Sequence, residues 1–435
     1  MSKIKVLVVP SDRSGVSKFR SIDPHLKLQE LFNDDFFVEI VTAGTDGFNW
    51  DDDSFLKSFD VVHFHKTLPH IKNGRLTPAY GEEAKILFNK LKKHGVKLVM
   101  DLDDYWMVTP DHPGYRTLKN SGMDRDIIEN LKMVDYVTTT TPIYADKISR
   151  YNKNVVVLPN AVDPSEDQFK HKLEDTDKKM RVGWLGGSSH LEDLRLASPS
   201  VSRFLGNHKE DTQFVLCGFD TRGNIPVRDP KTGVVNGSRK IKPEETVWYD
   251  YEKLFTSNYT NITNDYKKEL LKFDDMTEGK SENYRRVWTK PITTYASNYN
   301  LFDVSLAPVK EHMFNQMKSQ LKVIESGFHK KALIASDFGS YQIDLVNAYE
   351  RGGKINDKAN SFLVPKTKNH KDWGKYLRLL YENPDLIVTL GENLYESVQK
   401  YHIDVVTKNR SEFYKTIVND KEKEVEQIIE ELNAV

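Results

Sequence analysis

The sequence contains a single cysteine, Cys217, among its 435 residues. One cysteine excludes an intrachain disulfide framework and a zinc site built on several cysteines. Cys217 ends the apolar run 214–217, so we predict a buried small side chain there. No uninterrupted apolar run is long enough to span a bilayer, and the first residues lack the apolar core of a signal peptide. These absences favour a soluble, cytoplasmic protein.

An excess of one charge is also missing, because 63 Lys and Arg residues face 64 Asp and Glu residues, for a net charge of -1. The chain therefore has no global basic field to attract nucleic acid, although a local basic patch is compatible with this balance. The GxGxxG fingerprint is absent, which disfavours a nicotinamide-binding fold. Internal repeats of solenoid period and low-complexity tracts are absent as well.

What is present is an alternation of short apolar segments and helical segments, typical of α/β domains with parallel, doubly wound sheets. At 435 residues the chain is too long for one ordinary core, so several domains are expected. The predicted strands cover residues 4–9, 36–41, 60–64, 96–100, 136–139, 155–158, 180–185, 214–217, 302–307, 332–335 and 361–364. We predict a first domain at 1–164, a charged linker at 165–179, a second domain at 180–403 and C-terminal helices at 404–435. One arrangement packs the C-terminal helices back on the first domain.

Two small-residue loops follow the first strand of each predicted domain. Ser14 and Gly15 lie in the first loop, and Gly186, Gly187 and Ser188 form the second. Loops at the carboxyl ends of parallel strands bind ligands, and glycine lets backbone amides approach an anion. We therefore expect a ligand in a central cleft between two Rossmann-like domains.

Residues 314–328 are predicted to form one helix. Leu321 and Phe328 lie on an apolar face of that helix, and Lys318, Lys322 and Glu325 lie on another. The predicted first turn carries Lys318 and Ser319, and a helix start with a lysine is an anion site. Glu325, two turns further on, can accept hydrogen bonds from sugar hydroxyls. Phosphate at one end and hydroxyls further along describe a nucleotide sugar; a solvated Lys/Glu face is the alternative.

Three carboxylates, Asp101, Asp103 and Asp104, follow the predicted strand 96–100. They fit a hard-cation site, an ordinary surface loop or a group that faces a ligand. Their position at a strand end favours the last interpretation.

The segment 221–281 is an insertion longer than an ordinary connection, and it is rich in basic and aromatic residues. Such residues suit sugar stacking or a nucleic-acid backbone. We predict that it selects the acceptor and leaves the donor alone, through Arg228, Arg239, Trp248 and Tyr249. A packed β-hairpin excursion or a dimer contact is the alternative.

Four segments, in order, resemble motifs of the retaining GT-B glycosyltransferases, the large group that includes sucrose synthases and bacterial α-mannosyltransferases. Leu158–Asp163 is similar to "PNGVD", Val182–Leu185 to "VGRL", Val323–Gly339 to "EAMACGxPVIASDxGG" and Asn360–Val364 to "NGLLV". A further stretch, Ser14–Phe19, resembles the "CGVTKF" loop of phage DNA α-glucosyltransferases, which modify hydroxymethylcytosine. The chain also departs from the group's pattern. The first glutamate of the paired-glutamate motif falls on Met317, the arginine of "VGRL" is Trp184, and the usual histidine–aspartate pair is replaced by Asp103–Asp104.

The resemblance implies the GT-B fold and transfer of a sugar from a nucleotide diphosphate sugar, UDP favoured, with retained configuration. The acceptor would be a glycan or DNA that carries a hydroxylated base, and neither a cofactor nor a metal would be needed. Asp103 would orient the donor sugar, Lys318 the diphosphate and Glu325 the ribose, with Asp104, Ser319 and Lys322 also at the donor. The open alternatives are a sugar-nucleotide epimerase or hydrolase on the same fold, and a catalytically silent module that binds glycan or DNA.

Overall fold

The chain folds into two compact units. A computed structural model describes residues 2–11, 15–41, 52–72, 75–110, 115–172, 179–220, 223–229, 232, 234–256, 283–366, 370–419 and 422–434. Unit 1 comprises Met1–Asp163, His312–Leu321 and Lys400–Val435, and unit 2 comprises Pro164–Glu311 and Lys322–Gln399. The described part of the predicted linker, residues 165–172 and residue 179, thus belongs to unit 2. Among the described helices, none is both long and apolar enough to cross a membrane.

Unit 1 is built on a six-stranded parallel sheet. The strands of the whole unit, in chain order, are β1 (Ile4–Val9), β2 (Phe36–Ile40), β3 (Val61–His65), β4 (Pro69–Lys72), β5 (Arg75–Pro78), β6 (Lys97–Leu102), β7 (Tyr136–Thr139) and β8 (Val155–Val157). The sheet has the order β2-β1-β3-β6-β7-β8, and β4 and β5 form a separate antiparallel hairpin. The connection from β2 back to β3 reverses the winding direction, so the switch point lies between β1 and β3.

Unit 2 repeats this architecture with a different strand order. Its strands are β9 (Met180–Leu185), β10 (Thr212–Phe219), β11 (Asn224–Arg228), β12 (Val235–Lys240), β13 (Tyr284–Trp288), β14 (Val304–Ala307), β15 (Ala332–Ser336) and β16 (Phe362–Val364). The parallel sheet has the order β13-β10-β9-β14-β15-β16, and β11 pairs with β12 as an antiparallel hairpin. The switch point of unit 2 therefore lies between β9 and β14.

Helices connect the strands of both units. They are α1 (Gly15–Ser17), α2 (Asp23–Leu31), α3 (Asp53–Leu56), α4 (Gly81–Lys93), α5 (Tyr115–Ser121), α6 (Met123–Met133), α7 (Pro142–Ile148), α8 (Leu191–Asn207), α9 (Val247–Phe255), α10 (Met313–Met317), α11 (Leu321–Phe328), α12 (Asp372–Glu382), α13 (Pro384–Ser397), α14 (Ile403–Asn419) and α15 (Glu422–Asn433). A π-helical turn, Lys18–Ile22, joins α1 to α2. Short 3-10 turns cover Asp167–Phe169, Pro243–Glu245, Tyr295–Leu301, Gly339–Ile343 and Gln399–Tyr401.

The strands are apolar on both faces because helices cover both faces of each sheet. In β1, Leu7 and Val9 pack into the core on one side, whereas Val6 and Val8 pack on the other. The second side is covered by the C-terminal helices through residues such as Phe413. The predicted α/β class with two parallel sheets is confirmed, and each predicted strand overlaps an observed one. Cys217 is buried, as predicted.

The single helix predicted over residues 314–328 is wrong. The structure has two helices there, α10 and α11, and Lys318 between them has extended backbone, with φ -62° and ψ 150°. His312 caps α10, and its side chain accepts a hydrogen bond from the Asn315 amide. Phe314 and Met317 of α10 pack in the core of unit 1, and their spacing continues the apolar pattern of α11. Periodicity alone therefore did not reveal the break between the two helices. Lys318 therefore does not lie in the first turn of a helix.

Two histidines, His25 and His63, are fully buried in unit 1, and their ring centroids are 4.4 Å apart. The Nδ1 atom of His25 lies 2.5 Å from the Ser21 carbonyl oxygen, and its Nε2 atom lies 2.8 Å from the Tyr414 hydroxyl. Among the described residues, neither ring nitrogen of His63 has a hydrogen-bond partner. Burial first, and then neighbouring cationic groups such as Arg410, lower the pKa of both imidazoles well below 6.5.

We expect the free energy of unfolding to fall as the pH drops below about 6.5, because the unfolded histidines then bind protons that the folded ones do not. The slope is about 1.4 kcal/mol per pH unit for each histidine, until the pH reaches the lowered folded pKa. Replacing His63→Phe removes one titrating group without removing a hydrogen bond. Urea unfolding of both proteins between pH 7 and pH 5 should therefore show a shallower slope for the variant. Parallel curves would contradict this account.

Candidate functional site

A chain of hydrogen bonds joins three side chains at the switch point of unit 1. Ser11 follows β1, His65 ends β3 and Asp103 follows β6. The Ser11 Oγ atom lies 2.9 Å from Nδ1 of His65, and Nε2 of His65 lies 2.8 Å from Oδ1 of Asp103. An ionised carboxylate only accepts hydrogen bonds, so the Nε2–H group of His65 donates to Asp103. Ser11 is exposed, and its Oγ atom also lies 3.5 Å from the Oγ atom of Ser17.

Lys66 adds a cation to this cluster. Its Nζ atom lies 3.1 Å from Oδ1 of Asp103. Its backbone has φ 59°, in the left-handed region that residues with a Cβ rarely adopt. The backbone amide of Lys66 donates to the Asp101 carbonyl oxygen at 3.1 Å. Backbone strain of this kind concentrates at functional sites.

The two adjacent carboxyls have opposite pKa shifts. Burial by itself would raise the pKa of Asp103, but Lys66 and His65 hold that pKa well below its usual range. Burial and then the charge of Asp103 raise the pKa of Asp104, although Lys66 and Lys318 oppose this. The site thus combines an ionised carboxylate with a neighbour that takes up a proton more readily. Environments that push two pKa values apart are typical of acid–base chemistry.

A buried network fixes the strand ends beneath the cluster. The guanidinium of Arg20 donates to both oxygens of Asp101, at 3.0 and 2.6 Å, and to the Leu158 carbonyl oxygen at 2.6 Å. Thr138 donates to Asp101 at 2.6 Å. Asn160 lies 3.4 Å from Arg20 and donates to the Ser319 hydroxyl at 2.9 Å. These bonds link β6, β7, β8 and the segment His312–Leu321 of the same unit.

In unit 2 the glycine loop, Gly186–Ser188, follows β9 at the switch point. Lys322, in the first turn of α11, donates to the Leu185 carbonyl oxygen, and its Nζ atom lies 5.1 Å from the Trp184 ring centroid. A Cβ atom on Gly186 would lie 2.5 Å from the Trp184 ring and 3.1 Å from Nζ of Lys322. The ammonium of Lys322 therefore lies directly against the glycine loop, where it favours an anion.

Two further contacts fix the glycine loop. The Tyr251 hydroxyl of α9 donates to the Gly187 carbonyl oxygen at 3.1 Å and accepts from the His190 amide at 2.8 Å. The Asp193 carboxylate lies 2.7 Å from Nδ1 of His190 and accepts from the Lys310 amide at 2.6 Å. Because Lys310 follows β14, Asp193 ties together the two loops that flank the switch point.

Glu325 is 3% exposed and accepts hydrogen bonds from the hydroxyls of Tyr295 and Tyr299, the latter at 2.9 Å. Burial raises the pKa of its carboxyl, and the two tyrosines oppose that shift. These bonds tie α11 to the turn Tyr295–Leu301 within unit 2. Its contact with a ribose stays a prediction.

The structure brings some of the predicted residues together and separates others. Asp103, Asp104, Lys318 and Ser319 belong to unit 1, whereas Gly186, Gly187, Ser188, Lys322 and Glu325 belong to unit 2. Gly15 begins the short α1, and Ser14 lies outside the described residues. Sequence reasoning missed His65, Lys66, Asn160 and Tyr251. His65 lies one residue beyond the predicted strand 60–64, and its position at a strand end is the signal that would have found it.

The predicted acceptor residues have varied surroundings. Arg239 pairs with Glu245 through bonds of 2.6 and 2.8 Å, and Trp248 is 5% exposed among the rings of Phe219 and Tyr251. Tyr249 lies under the ammonium of Lys253, 4.6 Å from its ring centroid. Arg228 lies on the exposed strand β11.

The helix α9 of the insertion packs on the sheet of unit 2, and the selection of the acceptor by the insertion without an effect on the donor stays a prediction. Glu252 on α9 forms a buried ion pair with Arg286 on β13, at 2.5 and 2.9 Å, and accepts from Tyr284 at 3.0 Å. Phe255 stacks on Phe214 with ring centroids 3.9 Å apart. The helix is thus part of the core of unit 2, so removing residues 224–281 would expose that core and free the glycine loop.

Two of the cavities that the described residues of unit 2 form lie along the carboxyl edge of its sheet. One of about 480 Å³ lies beside β9, β10 and β13 and is lined by Gly186, Gly187, Ser188, Gly218, Asp220, Ile241, Glu245, Thr246, Val247, Trp248 and Thr289. The other, of about 570 Å³, lies beside β14, β15 and β16. Within the described residues, no group of three or more His, Cys, Asp or Glu side chains could hold a metal ion.

Solved structures similar to this chain include glycosyltransferases of the GT-B fold. Sucrose-phosphate synthase from Thermosynechococcus elongatus has a TM-score of 0.58 at 12% identity, over 96% of this chain and 100% of that chain. HepE from Anabaena in complex with UDP has a TM-score of 0.58 at 10% identity, over 94% and 99%. The catalytic domain of starch synthase IV from Arabidopsis thaliana, bound to ADP and acarbose, has a TM-score of 0.54 at 11% identity, over 96% and 100%. No protein-family model matches the sequence, and no curated protein matches it. At these identities the likeness establishes the fold, which is GT-B.

Proposed function

We propose that the chain is a retaining glycosyltransferase that transfers a sugar from a nucleotide diphosphate sugar, UDP favoured, to an acceptor hydroxyl. The observation that carries the proposal is the switch point of unit 2, where a glycine loop lies against the ammonium of Lys322. A glycine loop, whose backbone an anion can approach closely, together with a lysine suits a diphosphate. HepE, which shares the fold, has been solved with UDP and with UDP-glucose.

The polar cluster of unit 1 supports the transfer step. The ionised Asp103 accepts hydrogen bonds from sugar hydroxyls and orients the transferred sugar, with Asp104 beside it. Retention follows from the four motifs that resemble retaining enzymes: the acceptor hydroxyl attacks on the face that the diphosphate leaves, and the departing phosphate takes its proton. Lys318 and Lys322 stabilise the charge that develops on the diphosphate, without a metal.

The acceptor is a hydroxyl of a glycan or of a modified base in DNA. Ser14–Phe19, by its resemblance to the phage DNA glucosyltransferase loop, supports the second class. Mass spectrometry of products from UDP-glucose with a glycan panel and with hydroxymethylated DNA separates the two, and nuclear magnetic resonance of the anomeric proton gives the configuration. Inverted product would contradict the retaining mechanism.

We expect Lys322→Met to weaken UDP binding by roughly 10- to 150-fold, or about 1.5–3 kcal/mol, the contribution of a hydrogen bond to a charged group. Methionine keeps an unbranched apolar stem against Trp184 and removes the charge. Uridine affinity should change much less, because uridine has no phosphate. Calorimetry with UDP and uridine on both proteins measures the difference.

The matched control is Lys375→Met, which removes another lysine that lies over an aromatic ring of unit 2, 3.3 Å from the Tyr349 centroid. Its affinity for UDP should equal that of the unmodified protein. If Lys322→Met bound UDP as tightly as the control, the glycine loop would not be the diphosphate site.

A further inference from the structure

Residues outside the sheet form one wall of the cavity of about 480 Å³ in unit 2. Ile241 and Thr246 line it from the segment that joins the hairpin β11–β12 to α9, and Val247 and Trp248 line it from the start of α9. The opposite wall is the glycine loop, Gly186–Ser188. The insertion therefore encloses the space next to the proposed diphosphate site. A volume of about 480 Å³ lies in the range of small-ligand pockets.

An ion pair, hydrogen bonds and aromatic contacts hold this wall on the sheet of unit 2. The Glu252–Arg286 ion pair fixes α9 on the sheet, and the Tyr251 hydroxyl bonds α9 directly to Gly187 and His190. The Tyr251 ring contacts both Trp248 and Trp184 edge-on, with centroids 5.2 and 5.5 Å apart. A continuous set of aromatic contacts thus runs from the wall to Trp184, the ring beneath the ammonium of Lys322.

The hairpin also holds the rim of the wall. Glu245 accepts both bonds from Arg239 on β12 and a third, of 2.8 Å, from the Lys242 amide. The Arg239 bonds, the Lys242 amide and the charges of both residues lower the pKa of Glu245 to about 2. Arg239, predicted from sequence to meet the acceptor, is therefore placed to position the pocket wall.

Charged groups of both signs lie at the cavity. Lys322 lies against Gly186, and Asp220 and Glu245 contribute carboxylates to the lining. A diphosphate is attracted to Lys322 and repelled by the carboxylates. The hydroxyls and N–H groups of a nucleoside are hydrogen-bond donors that carboxylates accept. The apolar side chains of Ile241 and Val247 complete a surface suited to a flat ring.

We infer that the segment Ile241–Trp248 is the nucleoside-binding wall of the donor pocket, so that the insertion sets which nucleotide the protein accepts. The inference rests on the proposed donor site and extends it to residues of the insertion. The ligand class is a nucleoside diphosphate, with its base and ribose against this wall and its diphosphate at the glycine loop. Ile241, Thr246 and Val247 are then specificity-determining residues.

Two substitutions fill the pocket at this wall: Val247→Trp and Ile241→Trp. The matched control is Val227→Trp, which places the same bulk on the exposed strand β11, outside the lining residues of the cavity. Calorimetry uses UDP, GDP and inorganic pyrophosphate as probes, and circular dichroism melting verifies the fold. We expect both wall variants to lose at least tenfold in affinity for UDP and more for GDP, whose base is larger. Pyrophosphate affinity should change less than twofold, and the control should match the unmodified protein.

The inference is overturned if a folded wall variant binds UDP and GDP as the control does, or if it loses pyrophosphate and nucleotides equally. Ile241 is only half-buried, so its variant serves where Val247→Trp does not fold. Failure of the proposed function gives a different result, because the unmodified protein would then bind none of the three probes.

Discussion

Replacing Asp101→Ala should lower the free energy of unfolding of unit 1 by about 3–5 kcal/mol, because it leaves the buried guanidinium of Arg20 without its counter-charge. Asp101 is 0% and Arg20 is 1% exposed. The substitution also removes the acceptor of Thr138 and frees the bonds that join three strand ends. Urea unfolding followed by circular dichroism measures the loss as a lower urea concentration at the midpoint of the unfolding of unit 1.

The control for Asp101 is an ion pair at the surface of the same unit. Asp35 lies 2.5 Å from Nζ of Lys415, and the two side chains are 48% and 40% exposed. Asp35→Ala should cost less than about 1 kcal/mol, since water screens exposed pairs. Equal losses in the two variants would show that the Arg20–Asp101 pair does not hold the strand ends.

Gly218→Ala should destabilise unit 2 by about 2–5 kcal/mol, from backbone strain and overpacking together. Gly218 has φ +100°, and a Cβ atom there would lie 2.4 Å from the Gly186 carbonyl oxygen. Neither backbone can yield easily, because Gly186 is itself against the Trp184 ring. The melting temperature of unit 2 should therefore fall, and the affinity for UDP at low temperature should fall as well.

Gly187→Ala is the matched control for Gly218. Apart from its two chain neighbours, no described residue has an atom within 4 Å of a Cβ atom built on Gly187. Its effect on stability should stay within about 0.5 kcal/mol, as for ordinary surface substitutions. A stable Gly218→Ala variant would mean that the loops after β9 and β10 do not pack backbone against backbone.

The sheets could be predicted from sequence because their strands are uniformly apolar. Runs such as Met180–Leu185 are buried on both faces, and a buried strand has an unambiguous composition. The strand β13 was missed because Arg285 and Arg286 interrupt its apolar pattern. Both arginines are buried, and the partner that permits this for Arg286, Glu252, lies 34 residues away in sequence. A local pattern contains no information about such a partner.

The candidate sites were only partly predictable for the same reason. The glycine loop and the aspartates could be found because each follows a strand in sequence. The hydrogen bond between Ser11 and His65 joins residues 54 apart, and it exists only because β1 and β3 are neighbours in the sheet. The spacing of residues within one segment does not specify the order of the strands in the sheet. The break between α10 and α11 was hidden because the helices use their apolar residues in different cores.

The way the chain is divided between the units determines the order in which they can be completed during synthesis. Unit 2 extends to Gln399, whereas unit 1 needs later residues, such as Phe413 and Ile417, to cover the second face of β1. The first strands leave the ribosome first, yet one side of their sheet stays uncovered until the last helices emerge. Unit 1 therefore finishes folding after unit 2, and exposed apolar strands of this kind are prone to aggregate. Truncation near residue 400 should consequently impair the N-terminal half of the protein more than the half it shortens.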